Sequence, residues 1–160
     1  MKTLLLIDAH ALIHRAFHAL PPFKSPTGEP TGALYGLSST LLKVLKDTPP
    51  DYIAGAFDRP EPTFRKKLFE EYKAQRPKVD EALVAQLIKS RELFEQFGIT
   101  IFEKAGYEGD DIIGTLVQTC KNQKDTRIVI LTGDLDALQL VEGNSVVVET
   151  FKKGISEKRF

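Results

Sequence analysis

The stretch Gly106-Tyr107-Glu108-Gly109-Asp110-Asp111 places three carboxylates within four residues, after a predicted strand and at the start of a predicted helix. Glu108 and Asp111 are three residues apart, so on a helical turn they face the same way, whereas Asp110 points to one side. Like charges this close repel, and a divalent cation that prefers oxygen ligands, Mg²⁺ or Mn²⁺, relieves the repulsion at neutral pH. Acidic residues also favour the first turn of any helix because of its dipole, so the stretch alone leaves both interpretations open.

Continuous apolar runs on both sides of this stretch predict the strands of a parallel sheet buried on both faces. The predicted strands cover residues 4–7, 52–57, 99–102, 128–131 and 146–148. Apolar residues at helical spacing predict helices over residues 9–20, 31 to about 47, 80–97 (closed by Gly98) and from the acidic cluster onward. Strands alternating with helices predict a three-layer α/β domain, in which a mostly parallel central sheet carries helices on both faces.

Acidic residues follow four of the predicted strands at the point where each strand ends. In an open parallel sheet, ligands bind outside the carboxyl ends of the strands. A lone aspartate at a strand end is usually a turn residue or a helix cap, but four acidic strand ends together are harder to explain in that way. With one or two divalent ions, such a cluster becomes a site for phosphate-ester chemistry. The seven residues are Asp8, Asp58, Glu108, Asp110, Asp111, Asp134 and Asp136.

Residues 60–78 interrupt the alternation with a concentration of positive charge. Between positions 65 and 78, two glutamates oppose six basic residues, so that part carries +4 in a chain of net charge zero. Phe64, Phe69 and Tyr72 are interleaved with the charges. A solvated helix face explains such a run by itself. Next to an acidic metal cluster, however, the run suggests a nucleic acid as the partner. The basic residues are Arg65, Lys66, Lys67, Lys73, Arg76 and Lys78.

Composition and missing motifs exclude several other classes of protein. The length of 160 residues fits one domain with a sizeable core, and the single Cys120 excludes an internal disulfide and a multi-cysteine zinc site. No signal peptide and no apolar run of membrane-spanning length is found, so a cytoplasmic location and no membrane partner are expected. The chain has no Gly-Lys-Ser/Thr phosphate loop and no dinucleotide glycine fingerprint.

Three histidines, His10, His14 and His18, are spaced by four residues on the first predicted helix. A histidine pair with this spacing can bind Zn²⁺. The zinc-protease motif has a glutamate between its two histidines, and none stands between these. The spacing therefore gives little support for a zinc site.

Motifs along nearly all of the 160 residues come in the order found in one family. They are Leu-Ile-Asp8-Ala-His, Arg15-Ala-Phe17, Tyr35-Gly36, Phe57-Asp58, Phe64-Arg65, Tyr72-Lys73-Ala-Gln-Arg76, Gly106-Tyr107-Glu108-Gly-Asp110-Asp111 and Thr132-Gly-Asp134-Leu-Asp136. By these motifs the chain resembles the 5′→3′ exonuclease domain of bacterial DNA polymerase I. Through that domain it is similar to the flap endonuclease superfamily, which has a PIN-like, resolvase-like fold.

The resemblance implies roles for individual residues and two Mg²⁺ or Mn²⁺ ions in the complete site. The first ion would be held by Asp8, Asp58, Glu108, Asp110 and Asp111, and the second by Asp134 and Asp136. Residues 60–78 would form a helical arch or clamp over the active site. Within it, Lys73 and Arg76 match catalytic basic residues beside the scissile phosphate, and Tyr72 matches a base-stacking position. Arg15 and Arg65 match positions that contact substrate phosphates.

The C-terminal residues depart from the family pattern. Members of the family continue with a Gly-Asp-x-x-Asp-Asn-type motif that completes the second metal site, and with a helix-hairpin-helix-like element that grips duplex DNA. Neither is found after Glu149, and residues 151–160 look like a hairpin. The resemblance therefore implies that residues 1–160 are the N-terminal core. It also implies that the DNA-binding part and a polymerase domain belong to the parent chain.

Two functions are consistent with these features, and a third fits poorly. The first is a metal-dependent, structure-specific 5′→3′ exonuclease and 5′-flap endonuclease core, weakly active alone. It would act in replication and repair on DNA with 5′ flaps, nicks or 5′ ends, RNA-primed ends included. The alternative is a catalytically incomplete nucleic-acid-binding or interaction fragment of the same fold. A phosphatase or receiver domain with Asp8 as phosphoryl acceptor fits poorly, because His10 stands where the phosphatase pattern has its second aspartate.

Overall fold

The sheet predicted from the apolar runs is present in the computed structural model, which describes residues 1–75, 78–151 and 157–159. The strands are β1 (Lys2–Asp8), β2 (Tyr52–Ala56), β3 (Thr100–Phe102), β4 (Thr126–Leu131), β5 (Val146–Phe151) and β6 (Glu157–Arg159). Within the described ranges they form one sheet in the order β3-β2-β1-β4-β5-β6. The first five strands run parallel and β6 pairs antiparallel with β5. The prediction of a mostly parallel sheet is therefore confirmed.

Helices cover both faces of this sheet, so the predicted three-layer α/β architecture is also confirmed. The helices are α1 (Ala9–Ala19), α2 (Gly32–Asp47), α3 (Phe64–Leu68), α4 (Glu81–Gln96), α5 (Gly109–Cys120) and a 3₁₀ helix (Leu135–Leu140). Successive residues of β1 point to opposite faces. Leu5 and Ile7 pack in one core with α1, α2 and α4, and Leu6 packs in the other with α5.

Two helix ends show how local sequence sets the boundaries of these elements. Gly98 follows α4 with a φ of +68°, a left-handed conformation that glycine adopts without strain, as predicted from its position. The N-terminus of α2 is capped from a distance, because the buried Gln86 side chain accepts hydrogen bonds from the backbone N–H groups of Ala33 and Leu34 at 2.8 and 3.2 Å. The side chain of Thr31 makes no cap hydrogen bond at this end.

The basic segment is less helical than the resemblance implied. After the five residues of α3, the chain continues in turns, with hydrogen bonds from the Tyr72 N–H to the Phe69 carbonyl and from the Ala74 N–H to the Glu71 carbonyl. Lys73 has a φ of 57°, a conformation that cannot continue a right-handed helix. Over residues 60–75 the chain therefore holds one short helix, and the helical arch or clamp over the active site stays a prediction. Arg76 lies outside the described residues.

The central strand β1 determines where a ligand can bind. It pairs on one side with β2 and on the other with β4, so the order of the strands reverses around it. Asp8 at its end lies opposite Ala56, two residues before Asp58, and Ile7 lies opposite Leu131, three residues before Asp134. Ligands of open α/β sheets bind at such a reversal, outside the carboxyl ends of the strands.

None of the helices in the described part of the chain has both the length and the apolarity that crossing a membrane requires.

A pair of glycine substitutions tests the packing of β2 on α4. A Cβ on Gly55 would overlap the ring of the buried Phe94, so we expect Gly55→Ala to lower the free energy of unfolding by about 1–3 kcal/mol. A Cβ on Gly114 in α5 would enter open space, so Gly114→Ala should instead stabilise by roughly 0.5–1 kcal/mol. Urea denaturation measures both values. Phe94→Leu added to Gly55→Ala should recover part of the loss, and no effect of Gly55→Ala would contradict this packing.

A candidate metal centre at the carboxyl ends of the strands

Asp8 ends β1 and is held by two hydrogen bonds before any ligand is present. Its Oδ1 accepts from the backbone N–H of Ala11 at 3.0 Å, which caps α1, and its Oδ2 accepts from the hydroxyl of Thr132 at 2.7 Å. The residue is only 6% exposed. Burial raises the pKa of the Asp8 carboxyl, the two hydrogen bonds oppose that rise, and the nearby charges of Asp58 and Asp134 add to it. The carboxylate of Asp8 at the end of β1 is therefore held in a fixed orientation.

Asp58, two residues after β2, is drawn towards the first residue of α5. Its Oδ1 accepts from the backbone N–H of Gly109 at 2.5 Å. A Cβ on the buried Gly109 would stand only 3.1 Å from the same oxygen, so a larger residue would crowd this contact. The glycine inside the acidic stretch thus lets the end of β2 and the start of α5 approach each other.

The three acidic residues at the start of α5 have different partners. Glu108 is the N-cap of the helix, and its backbone N–H donates to Oδ2 of Asp111 at 2.9 Å. Both oxygens of Asp111 also accept from the guanidinium of Arg65, at 2.7 Å each. The Arg65 guanidinium therefore holds the pKa of the Asp111 carboxyl below its usual range. Asp110, in contrast to Asp111 with its cationic partner, has other acidic residues as its neighbours.

A polar cavity of about 220 Å³ opens where these elements meet. Asp110 lines it, and its partial withdrawal from water, followed by repulsion from the other acids, raises the pKa of Asp110 to about 6. Charge is therefore concentrated in this cavity beyond what its own cations neutralise. The lining consists of Asp8, His10, Ala11, His14, Asp58, Lys73, Glu108, Gly109, Asp110 and Asp134.

The basic segment supplies a cation at the edge of the cavity. The Nζ of Lys73 lies 2.8 Å from Oε2 of Glu108, and the Tyr72 hydroxyl donates to the same oxygen at 3.3 Å. Partial burial lowers the pKa of Lys73, but the hydrogen bond and the charge of Glu108 outweigh it, and the pKa is raised. Lys73 is therefore a protonated amine turned inward over the acids.

Five of the seven predicted metal ligands line this one cavity, and two do not. Asp111 faces Arg65, and Asp136 lies in the 3₁₀ helix, where its backbone N–H donates to Oδ1 of Asp134 at 2.9 Å. Arg15 is half-buried on α1 outside the cavity lining. The structure therefore brings five of the seven carboxylates together, while the bidentate pair with Arg65 turns Asp111 aside, and the metal-binding role of all seven stays a prediction.

Carboxylate oxygens converging in a charged cavity are the donors that a hard divalent cation takes. In residues 1–75 and 78–150, no three His, Cys, Asp or Glu side chains are already arranged as a ligand set for one ion. The raised pKa of Asp110 nevertheless indicates that the negative charge in the cavity is not fully compensated, and a divalent cation would neutralise it. The residues present therefore fit such an ion, provided that side chains rotate towards it.

Sequence reasoning missed two residues of this centre. The hydroxyl of the fully buried Thr132 donates to Asp8 and accepts from the backbone N–H of Asp134 at 3.0 Å, so it joins β1 to the loop after β4. His10 lines the cavity, and its Nδ1 accepts from the backbone N–H of Asp58 at 3.2 Å. The Thr132-Gly-Asp134 motif carried a signal for the first. His10 belongs to the Leu-Ile-Asp8-Ala-His motif, but that motif did not indicate which group its ring would contact.

A larger groove of about 1140 Å³ lies at the other ends of the strands. Its lining includes Lys2, Tyr52, Thr100 and Thr126, the first residues of β1 to β4. Its described lining is wide and lacks a convergent set of acids, so the smaller cavity is the better candidate for chemistry.

The reversal of strand order at β1 and the acids at the strand ends define a class, the resolvase-like α/β domains with an acidic centre. Residues 3–160 match the family described as 5'-3' exonuclease, N-terminal resolvase-like domain, and the chain belongs to this family.

Relatives of this chain are longer proteins. The DNA polymerase I of Caldicellulosiruptor bescii is 44% identical over 144 residues, which are 90% of this chain and 17% of that protein. The 5'-3' exonuclease of Aquifex aeolicus is 38% identical over 165 aligned residues, which are 100% of this chain and 57% of that protein. The bacteriophage T5 flap endonuclease, solved as a pseudo-enzyme-product complex with DNA and metal ions, has the same fold. Its TM-score is 0.71 at 20% identity, over 98% of this chain and 57% of that one.

Substitution of Asp110 tests the electrostatic strain in the cavity. Burial and the neighbouring acids raise the pKa of Asp110 from 3.8 to about 6 in the folded chain, so its contribution to the free energy of unfolding falls as the pH rises between these values. Two pKa units correspond to about 3 kcal/mol in a site shielded from water, and the exposure of Asp110 reduces this to about 1 kcal/mol. We therefore expect metal-free Asp110→Asn to be more stable than wild type by that amount at pH 7.5, and by less at pH 5.

Urea titrations at both pH values measure this difference. Asp47→Asn, which changes an exposed carboxylate at the end of α2, is the matched control and should not show the same pH dependence. An advantage of Asp110→Asn that is larger at pH 5 than at pH 7.5 would contradict the assigned repulsion.

Proposed function

We propose that this chain is the metal-binding core of a nuclease that depends on Mg²⁺ or Mn²⁺ and hydrolyses DNA phosphodiesters at 5′ ends, nicks and 5′ flaps. The single observation that carries the proposal is the meeting of five carboxylates, from three strand ends and the start of α5, in one cavity. Membership in the exonuclease family supports it. So does the shared fold of the T5 enzyme, which was solved with DNA and metal ions.

The cavity acids, together with Asp136 outside the cavity lining, would hold the ions. Asp8, Asp58, Glu108 and Asp110 would hold the first, and Asp134 with Asp136 the second, while Asp111 positions Arg65. Bound ions would polarise the phosphoryl group and supply a nucleophilic water at neutral pH. The chain fixes the direction of Asp8 and Asp58 through Ala11, Thr132 and Gly109. Such support is what a precise site requires.

The basic segment would guide the substrate. Lys73 and Arg65 carry protonated groups at the edge of the cavity, and Phe69 nearby in the sequence is 70% exposed. Cations attract the phosphates of a nucleic acid, and exposed rings stack on its bases. Tyr72, which lies between Phe69 and Lys73 in the sequence, would contribute to the same surface. As part of this proposal, Arg76 keeps its predicted catalytic role beside the scissile phosphate, and Arg15 keeps its predicted role in binding substrate phosphates.

The second candidate is a nucleic-acid-binding fragment that does not cleave. The observation in its favour is that Asp136 does not line the cavity, so the second ion would have few protein ligands. Water would fill the remaining positions, and occupancy would be weak. For the same reason we propose that the first function is slow in these 160 residues alone. A polymerase domain and a further DNA-binding part would belong to the longer protein.

Single-turnover cleavage of a 5′-labelled flap duplex distinguishes the two candidates. We expect slow release of label that requires Mg²⁺ and is abolished in Asp110→Asn, because the cavity then loses a ligand. Asp47→Asn, remote from the cavity, should cleave as wild type does. Binding of the duplex without any Mg²⁺-dependent cleavage would favour the second candidate and overturn the first.

Lys73→Ala separates catalysis from binding. Lys73 contacts Glu108 at the edge of the proposed site, where a reacting phosphate would develop negative charge. Loss of the Lys73 amine should therefore lower the single-turnover rate on the order of 10²-fold. The affinity for the same duplex should fall much less than the rate, because contacts made mainly in the transition state act on the barrier. Lys66→Ala, which removes the same charge from an exposed site on α3, is the control. Weaker binding with an unchanged rate would reject this role.

A further inference from the structure

The main chain of Asp58 is held by side chains from two helices. Its N–H donates to Nδ1 of His10 on α1 at 3.2 Å, and its carbonyl accepts from Nη2 of Arg91 on α4 at 3.2 Å. The preceding residue, Phe57, is still bonded to the sheet, through its N–H and the carbonyl of Phe102 at 3.0 Å. Asp58 is thus the first residue after β2 whose backbone leaves the sheet, and both of its polar backbone atoms have side-chain partners.

The two side chains are themselves fixed in place. The ring of His10 meets the ring of the buried Phe57 edge to face, with centroids 5.9 Å apart. The guanidinium of Arg91 lies over the same ring, 4.8 Å from its centroid, and pairs with Glu103. The Phe57 ring therefore supports both His10 and Arg91, the two side chains that hydrogen-bond to the main chain of Asp58.

These contacts are not needed to hold the strand itself. β2 is already paired with β1 and β3 up to Ala56, and Phe57 is anchored in the core. What His10 and Arg91 add is a fixed peptide plane at Asp58, while Gly109 fixes one oxygen of its carboxylate. Three elements thus determine the direction of a single carboxylate.

We infer that His10 and Arg91 are positioning residues that aim the carboxylate of Asp58 into the cavity for the divalent ion. The inference rests on the proposed function, since it concerns a ligand of the proposed metal centre. It assigns the first histidine of the helical row a role as hydrogen-bond acceptor, rather than as a metal ligand. Partners that orient a ligand typically change metal affinity by about 10–100-fold when they are lost.

Nuclear magnetic resonance tests the contact without any metal. Because a backbone N–H donates to it, Nδ1 of His10 must be unprotonated and the proton must be on Nε2. The ¹⁵N spectrum should show this tautomer, and the amide of Asp58 should exchange with solvent more slowly in wild type than in His10→Leu. The opposite tautomer, or equal exchange in both, would overturn the inference.

Binding of Mn²⁺, followed by electron paramagnetic resonance of the free ion, tests the consequence. His10→Leu should bind Mn²⁺ about 10–100-fold more weakly, and His10→Asn, whose Oδ1 can replace Nδ1 as acceptor, should recover most of the affinity. Arg91→Lys keeps the charge but loses the planar fork, so it should also weaken binding. His18→Leu, on an exposed site of the same helix, is the matched control.

Each outcome decides one question. If folded His10→Leu and Arg91→Lys bind Mn²⁺ as tightly as wild type, the two residues do not position Asp58 and the inference is wrong. If His18→Leu weakens binding as much as His10→Leu, the effect is not specific to the hydrogen bond, and the inference is equally wrong. If wild type binds no Mn²⁺, the proposed metal centre fails, and the ¹⁵N spectrum still decides whether the hydrogen bond exists.

Discussion

Mutual repulsion among the carboxylates at the end of β1 is the constraint on which the arrangement of this molecule depends. The fold reduces this repulsion in two ways. Asp8, Glu108 and Asp134 each stand at the N-terminus of a helix, where the dipole favours negative charge. Lys73 and Arg65 bring positive charge to the same edge. The repulsion that remains appears in the raised pKa of Asp110.

Helix capping and ligand binding do not compete as explanations of these acids. Asp8 caps α1 with one oxygen and accepts the Thr132 hydroxyl with the other, yet it lines the cavity. A carboxylate has about four lone-pair sites, so two hydrogen bonds leave room for an ion. Capping even favours a metal site, because it removes rotational freedom from the side chain before the ion arrives.

The sheet and its layers could be predicted because they depend on local apolar runs and on the rule that parallel strands share an edge. The side-chain directions could not. Asp111 pairs with a residue 46 positions away, Gln86 caps a helix 53 positions away, and His10 holds a peptide 48 positions away. Such contacts exist only after α1, α4 and α5 have packed on the sheet. Prediction was therefore limited by the partners of the acidic residues, and two of those partners, Thr132 and His10, were not assigned to the centre from the sequence.

The carboxylates in the cavity lower the stability of the fold, and this indicates that they serve a function other than folding. The acids lie above two apolar cores in which Ile7, Ile13, Ile128 and Ile130 are fully buried, so the fold can tolerate a local loss of stability. A cavity selected only for stability would place neutral residues around Asp110, because a carboxylate there opposes folding at neutral pH. Active sites often retain such unfavourable groups because the chemistry needs them. The negative charge in the cavity is therefore better explained by a cation that it binds than by any contribution to the fold.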